Sequence, residues 1–275
     1  MNNLIKRAVF GSLYVVAILA ALFLENKVLY LVLFSLLSFI AVYEYNVLSG
    51  SQRTRPLRTL LDAGAAVYLF VVSFMLIEGP ASDLRLLAPY FFYLIYSFVR
   101  SIYSDRAEAP NSLARIVLGQ VYIALPFVCA NLSHLWLNVD GTPLLLLLVF
   151  VCIWVNDTGA FIVGSTLGKR PLFPSVSPKK SWEGFFGGLA FSIASAIILG
   201  IKLTPESASP VVYGILGAVI SVASTWGDLF ESMLKRNAGV KDSGRIIPGH
   251  GGVLDRIDSF LFALPAALFI YLLAH

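Results

Sequence analysis

Apolar residues run through this chain in long blocks, separated by short polar and basic stretches. The blocks cover residues 9–24, 28–48, 60–77, 86–99, 116–136, 144–165, 184–201, 211–230 and 254–274. Crossing a hydrocarbon core about 30 Å thick takes about 20 helical residues, so the pattern predicts about nine membrane spans. The third and fourth blocks are the least secure of these. Lipid offers the backbone no hydrogen-bond partners, so each span is expected to be a helix. None alternates apolar and polar residues as a barrel strand does. The expected fold is therefore all-α, a polytopic membrane protein of about nine transmembrane helices.

Composition agrees. Of 275 residues, 58% are hydrophobic and 13% charged, against about 25% charged in a soluble domain. The first block follows Lys6 and Arg7 but precedes no small-residue cleavage site, so it is expected to be retained as an anchor. If the N-terminus is cytoplasmic, all the basic residues but Lys27, Arg85 and Lys202 fall on the same side. The positive-inside rule favours that orientation, and an odd number of spans then puts the C-terminus on the opposite side. Cys129 and Cys152 lie within spans and are read as small apolar residues rather than a disulfide. The positive net charge requires no nucleic-acid partner; it follows from the inside rule and attracts anionic lipid.

The chain divides into an N-terminal set of spans over 1–140, read as a scaffold or dimerisation unit, and a C-terminal region over 141–275. The second region carries cytoplasmic loops at 167–182 and 231–254. In the first, Glu44 and Asp62 are expected at the interface, facing water or a basic neighbour. From Asn156 onward carboxylates enter the apolar segments: Asp157, Glu183, Asp228, Glu231, Asp255 and Asp258. A charge at membrane depth costs several kcal/mol and marks a functional cavity by default. All six lie toward the cytoplasmic ends of their spans, as in a site open to one aqueous face rather than a pore.

Asp255 and Asp258, three apart on a helix, share a face, as do Asp228 and Glu231. Clustered hard oxygen donors suit Mg²⁺, and the scarcity of histidine and cysteine disfavours zinc. The plainer alternative, acids at a solvated helix terminus, accommodates Asp255 but fits four acids at two helix ends poorly. Lys235, Arg236, Lys241, Arg245 and Arg256 surround them, with five glycines between Gly239 and Gly252. Glycine admits backbone N–H groups close to phosphate and the cations neutralise it, so the combination points to a nucleotide polyphosphate. In the other loop, Ser181 is placed to cap a helix with Glu183 in its first turn, and Lys179 and Lys180 stand just before that N-terminus. The spacings Gly164-x-x-x-Gly168 and Gly184-x-x-x-Gly188 suggest close helix packing.

Ser232, Lys235-Arg236, Lys241-Asp242, His250-Gly251-Gly252 and Asp255-Arg256-Ile257-Asp258 together resemble the signature of the phosphatidate cytidylyltransferase family. The stretches Gly227–Ser232 and Ser177–Gly184 are also similar to family elements, whereas the first half resembles the family only in being a set of spans. The resemblance implies transfer of CMP from CTP to phosphatidate, giving CDP-diacylglycerol and pyrophosphate. It further implies Mg²⁺, a monovalent cation such as K⁺, a homodimer, and a bacterial inner-membrane location with the site facing the cytoplasm. On it Asp228, Asp255 and Asp258 are the metal-binding, catalytic carboxylates and Lys241 joins them. Lys179, Lys180, Lys235 and Arg236 hold phosphates, and Asn156, Asp157, Glu183, His250 and Arg256 line the substrates. For His250, phosphate binding or loop structure is favoured over a general base, because a phosphate monoester with a second pKa of about 6 is already nucleophilic at neutral pH.

The expected chemistry is in-line attack of the lipid phosphate on the α-phosphorus of CTP. Two alternatives remain at this stage. A CTP-dependent lipid kinase would release CDP in place of pyrophosphate. An ion-coupled transporter would place its acids at the membrane midplane between inverted repeats, and none is detected here.

Overall fold

The structure is a computed structural model, describing residues 3–24, 26–50, 56–79, 83–103, 109–136, 138–139, 142–204, 209–244, 246 and 251–274. It resolves into two compact units. One comprises Met1–Leu135 with Asp242–Asp255, the other Trp136–Lys241 with Arg256–His275. The segment 242–255 thus groups with the N-terminal helices, where the sequence suggested a simple division after residue 140.

The first unit contains α1 (Asn3–Phe23), α2 (Lys27–Ser49), α3 (Pro56–Glu78), a 3₁₀ turn (Leu84–Leu87), α4 (Ala88–Ile102), α5 (Ala109–Gly119), a π turn (Gln120–Ala124) and α6 (Leu125–Trp136). Asn26 caps α2, its side-chain oxygen accepting from the Leu29 N–H at 3.1 Å. Every third or fourth residue of α2 and α3 is buried, and Tyr30, Phe34, Phe70 and Phe127 stack into an aromatic core. Its best-matched polar group is Asn131. The Asn131 amide donates to the Phe70 carbonyl and to Ser73 Oγ, both at 2.7 Å, and accepts from the Tyr30 hydroxyl at 3.1 Å. Asp62 is buried and does face a basic neighbour, Arg100, at 3.5 Å, while accepting from Tyr93 at 2.9 Å. Glu44 is also buried, 3% exposed, but it meets the backbone at the start of another helix, as set out below.

The second unit begins with a two-residue hairpin, β1 (Asn138–Val139) and β2 (Thr142–Pro143), followed by α7 (Leu144–Leu167). A second antiparallel hairpin, β3 (Pro171–Phe173) and β4 (Ser177–Ser181), leads to α8 (Trp182–Leu203), α9 (Pro210–Asn237) and α10 (Leu254–Ala274). The segment expected to be the loop 167–182 is therefore largely this hairpin. Likewise α9 continues to Asn237, so Ser232, Lys235 and Arg236 sit on a helix rather than in the expected loop 231–254.

Close packing in this unit depends on absent side chains. A Cβ on Gly184 would lie 3.2 Å from Gly164 Cα and 2.9 Å from the Ala160 carbonyl, so α7 and α8 meet backbone to backbone. The expected small-residue seam is thereby realised through Gly164, Gly184 and Gly188. A Cβ on Gly227 would lie 2.6 Å from the Asp258 carbonyl, so α9 and α10 touch beside the acids they carry. Ser192 reinforces α8 against α9 by donating to the Gly217 carbonyl at 2.8 Å.

Among the described residues, seven helices are long and apolar enough to cross a membrane: α2, α3, the stretch Asn111–Leu135, α7, α8, α9 and α10. Val9–Phe23 forms a shorter apolar stretch within α1. The fourth expected span is α4, whose 15 residues reach only about 22 Å at 1.5 Å per residue. Leu84–Leu87 tightens into a 3₁₀ turn ahead of Pro89 instead of extending that helix. Large apolar side chains such as Val28, Val32, Phe186 and Ile198 point outward, as they must when the solvent is lipid. The chain is an all-α, multi-pass membrane protein.

The glycine seam yields a paired test. Gly184→Ala should destabilise the protein by on the order of 1–3 kcal/mol through overpacking. Gly64→Ala, whose Cβ would meet nothing within 4 Å, should stabilise α3 by up to about 1 kcal/mol. Thermal unfolding of the detergent-solubilised variants measures both, and equal melting temperatures would contradict the seam.

Candidate active site

Three carboxylates converge where α9 ends and α10 begins. Asp228, Glu231 and Asp258 each offer an oxygen, all within 4.8 Å of one another. Helical spacing puts Asp228 and Glu231 on one face of α9, and Gly227 lets α10 approach closely enough to add Asp258. Glu231 is fully buried and Asp258 8% exposed; Asp228 is partly open. Ser259 N–H donates to Asp258 Oδ1 at 2.7 Å, and the Ser232 hydroxyl donates to Asp228 Oδ1 at 3.3 Å.

Cations flank the group. Lys180 Nζ lies 2.5 Å from Asp228 Oδ2, and Lys235 pairs with Glu231 one turn along α9. On β4, Lys180 is partly buried against Asp228, while Lys179 beside it is exposed. Asp157 is exposed on α7, within electrostatic reach of Asp228, Asp258, Lys180 and Arg256. Among the described residues, four carboxylates against Lys180, Lys235 and Arg256 leave the cluster with an excess of negative charge, suited to a cation and to the phosphates it would bring.

Other expected residues serve the walls. Asn156, 3% exposed, accepts from the Ser221 hydroxyl at 2.6 Å and so joins α7 to α9 beneath the acids. Ser181 caps α8, accepting from Gly184 N–H at 3.1 Å, as its position suggested. Glu183 accepts from the backbone N–H groups of Lys169 and Arg170 at 3.1 and 3.2 Å, closing the turn between α7 and β3. With Arg170, Trp182 and Phe186 it lines a cavity of about 450 Å³. Arg236 donates to the carbonyls of Val176 and Val240 at 3.4 and 3.2 Å, bracing the tip of the β3–β4 hairpin against the end of α9. Lys241 and Arg256 are exposed. His250 lies outside the described residues, as does Arg245.

Asp255 is not in the three-carboxylate group. Its Oδ2 accepts from Ser243 N–H at 2.9 Å, the Ser243 hydroxyl at 3.0 Å and Gly252 N–H at 2.8 Å, folding the glycine-rich segment onto the start of α10. Glu231 takes the third place instead. Its i, i+3 relation to Asp228 is the sequence signal that points to it, but the resemblance passes it over.

The Cytidylyltransferase family profile matches residues 5–274. Similar proteins include the phosphatidate cytidylyltransferase of Bacillus subtilis (strain 168), 41% identical over 160 residues, 56% of this chain and 56% of that protein. That of Staphylococcus haemolyticus (strain JCSC1435) is 45% identical over 173 residues, 63% of this chain and 62% of its own. That of Haemophilus influenzae (strain ATCC 51907 / DSM 11121 / KW20 / Rd) is 42% identical over 158 residues, 54% of each. The similarity thus spans between half and two-thirds of these relatives' length, whereas the family match takes in both units of the fold. On that extent, and with the acids at the ends of α9 and α10 inside it, the chain belongs to the cytidylyltransferase family.

Proposed function

We propose that this protein is a phosphatidate cytidylyltransferase, making CDP-diacylglycerol and pyrophosphate from CTP and phosphatidate. The observation that carries the reading is the buried trio Asp228, Glu231 and Asp258 with Lys180 and Lys235 beside it, in a chain of this family. The phosphatidate cytidylyltransferases among its relatives and the multi-pass architecture support the lipid substrate.

The donor set fits Mg²⁺, a hard cation that takes one or two carboxylate oxygens and leaves its other positions to phosphate and water. Asp228, Glu231 and Asp258 would hold the ion, and when bound it supplies charge neutralisation for the polyphosphate. The remaining chemistry belongs to the chain. An oxygen of the phosphatidate phosphate attacks the α-phosphorus of CTP as the bond from that phosphorus to the oxygen bridging the β-phosphate breaks. Lys180 and Lys235, fixed by their carboxylate partners, are placed to offset charge on the leaving pyrophosphate. Lys179, Lys241 and Arg256 are exposed and placed to draw in the nucleotide. Asn156 keeps α7 against α9, so Asp157 stays at the rim. The same proposal includes a site facing the cytoplasm of the inner membrane, supported by the distribution of basic residues. It also includes the homodimer and the monovalent cation implied by the resemblance.

Two experiments test it. Purified protein given labelled CTP, phosphatidate and Mg²⁺ should form CDP-diacylglycerol with equimolar pyrophosphate, and chelation should abolish turnover. CDP with a newly phosphorylated lipid would make it a kinase, and no turnover on any lipid phosphate would overturn the enzyme reading.

The second test is of the metal site and does not depend on turnover. Mg²⁺ near 100 times its dissociation constant should stabilise the wild type by about 2.7 kcal/mol in thermal unfolding. Asp258→Asn and Glu231→Gln should lose most of that gain and about 10²–10³ in kcat. If Glu231→Gln keeps the full gain while Asp255→Asn loses it, the assignment within the site is wrong.

A further inference from the structure

Helix α10 begins without a local cap. Val253 precedes its first residue, Leu254, and a valine side chain has no oxygen to offer the exposed N–H groups of a helix start. The acceptor comes from α2, 210 positions earlier in the chain. Glu44 Oε2 accepts from Leu254 N–H at 2.8 Å and from the Ser243 hydroxyl at 3.2 Å. That hydroxyl also lies 3.0 Å from Asp255 Oδ2, so Ser243 bridges the two carboxylates with a single proton.

The glycines of the same segment are shaped around Glu44. A Cβ on Gly244 or on Gly252 would come within 2.7 Å of the Glu44 carboxyl carbon. Gly251, at φ +85°, adds a turn that other residues resist, and its Cβ would lie 2.7 Å from Asp255 Oδ2. Two of the glycines that read in the sequence as a phosphate cradle are therefore close-approach positions for a side chain of the N-terminal unit. No lysine or arginine among the described residues forms an ion pair with Glu44. Hydrogen bonds from this segment are what hold a buried carboxylate in an otherwise apolar helix.

We infer that Glu44 is a positioning residue for the reaction: it clamps the segments 242–244 and 252–255 and thereby fixes the first turn of α10 and the direction of the Asp255 carboxylate. The inference rests on the reading of this region as part of a cytidylyltransferase site. Glu44 touches neither substrate; it acts through Ser243, Leu254 and the glycines. It gives the N-terminal helices a part in the chemistry beyond that of a scaffold.

The test uses full-length protein in detergent with Glu44→Ala, Glu44→Gln, Ser243→Ala, the double variant Glu44→Ala/Ser243→Ala, and Asp62→Asn as a buried-acid control in the same unit. Per folded molecule, Glu44→Ala should lower kcat by about 100-fold, the scale of a displaced catalytic geometry. The KM for phosphatidate should stay near the wild-type value. Glu44→Gln, which keeps an acceptor for Leu254 N–H, should recover much of that loss. The double variant should be little worse than Glu44→Ala alone, because both substitutions release the same segment. Asp62→Asn should lower thermal stability and leave kcat per folded molecule unchanged.

Limited trypsin cleavage after the exposed Lys241 reports the segment without reference to turnover, and Glu44→Ala should speed it by about tenfold or more, as for a loop released to local opening. Wild-type kcat per folded molecule in Glu44→Ala, or additive effects with Ser243→Ala, would overturn the positioning role. If Glu44→Ala fails to fold, Ser243→Ala decides: unchanged kcat together with unchanged cleavage overturns it. If the wild type makes no CDP-diacylglycerol while the cleavage difference persists, the proposed reaction fails and the clamp does not.

Discussion

A carboxylate within an apolar helix is tolerated only where neighbouring groups replace the water it gives up. Each unit contains such acids, and each resolves the requirement differently. In the first, Asp62 is met by Tyr93 and Arg100, and Glu44 by the backbone and hydroxyl of a distant segment. In the second, Glu231 and Asp228 take lysines while crowding against Asp258. The first solutions close their charges off. The second leaves surplus negative charge gathered at one place.

Close backbone approach makes that gathering possible. Three carboxylates on two helices converge only because Gly227 removes the side chain that would hold α9 and α10 apart. The α7–α8 seam at Gly164 and Gly184 likewise sets the depth at which the β3–β4 hairpin emerges, and with it the reach of Lys180. Small residues thus do two jobs with one geometry. They supply the packing that lipid, as apolar as leucine, does not drive, and they set the spacing of the charged groups.

Much of this was legible in the chain. Block length gave seven of the spans, helical spacing paired Asp228 with Glu231, and the cap at Ser181 followed from its position before Glu183. What escaped was mostly long-range. Nothing local distinguishes Lys179 from Lys180; only the fold sets one of them against Asp228. Shared helical face also failed to keep Asp255 with Asp258, because Ser243 and Gly252 claim the Asp255 carboxylate from across the loop. The partner of Glu44 lies 210 positions away, and an acid near a span end reads as an interfacial one until the fold supplies the helix it caps. The fourth block was apolar enough for a span but broken by a 3₁₀ turn that hydropathy does not register.

The length of α9 carries one more consequence. Its 28 residues extend about 42 Å at 1.5 Å per residue, some 12 Å beyond a hydrocarbon core of about 30 Å. If the helix runs along the membrane normal with its start at the far boundary, the excess is its last two turns, which begin near Phe230 and carry Glu231 just past the boundary and Asp228 just inside it. On that placement those turns would stand among the lipid head groups, at the depth of the membrane phosphates. On the same placement the mismatch would tie the height of these acids to bilayer thickness, and so to the acyl-chain length of the surrounding lipid.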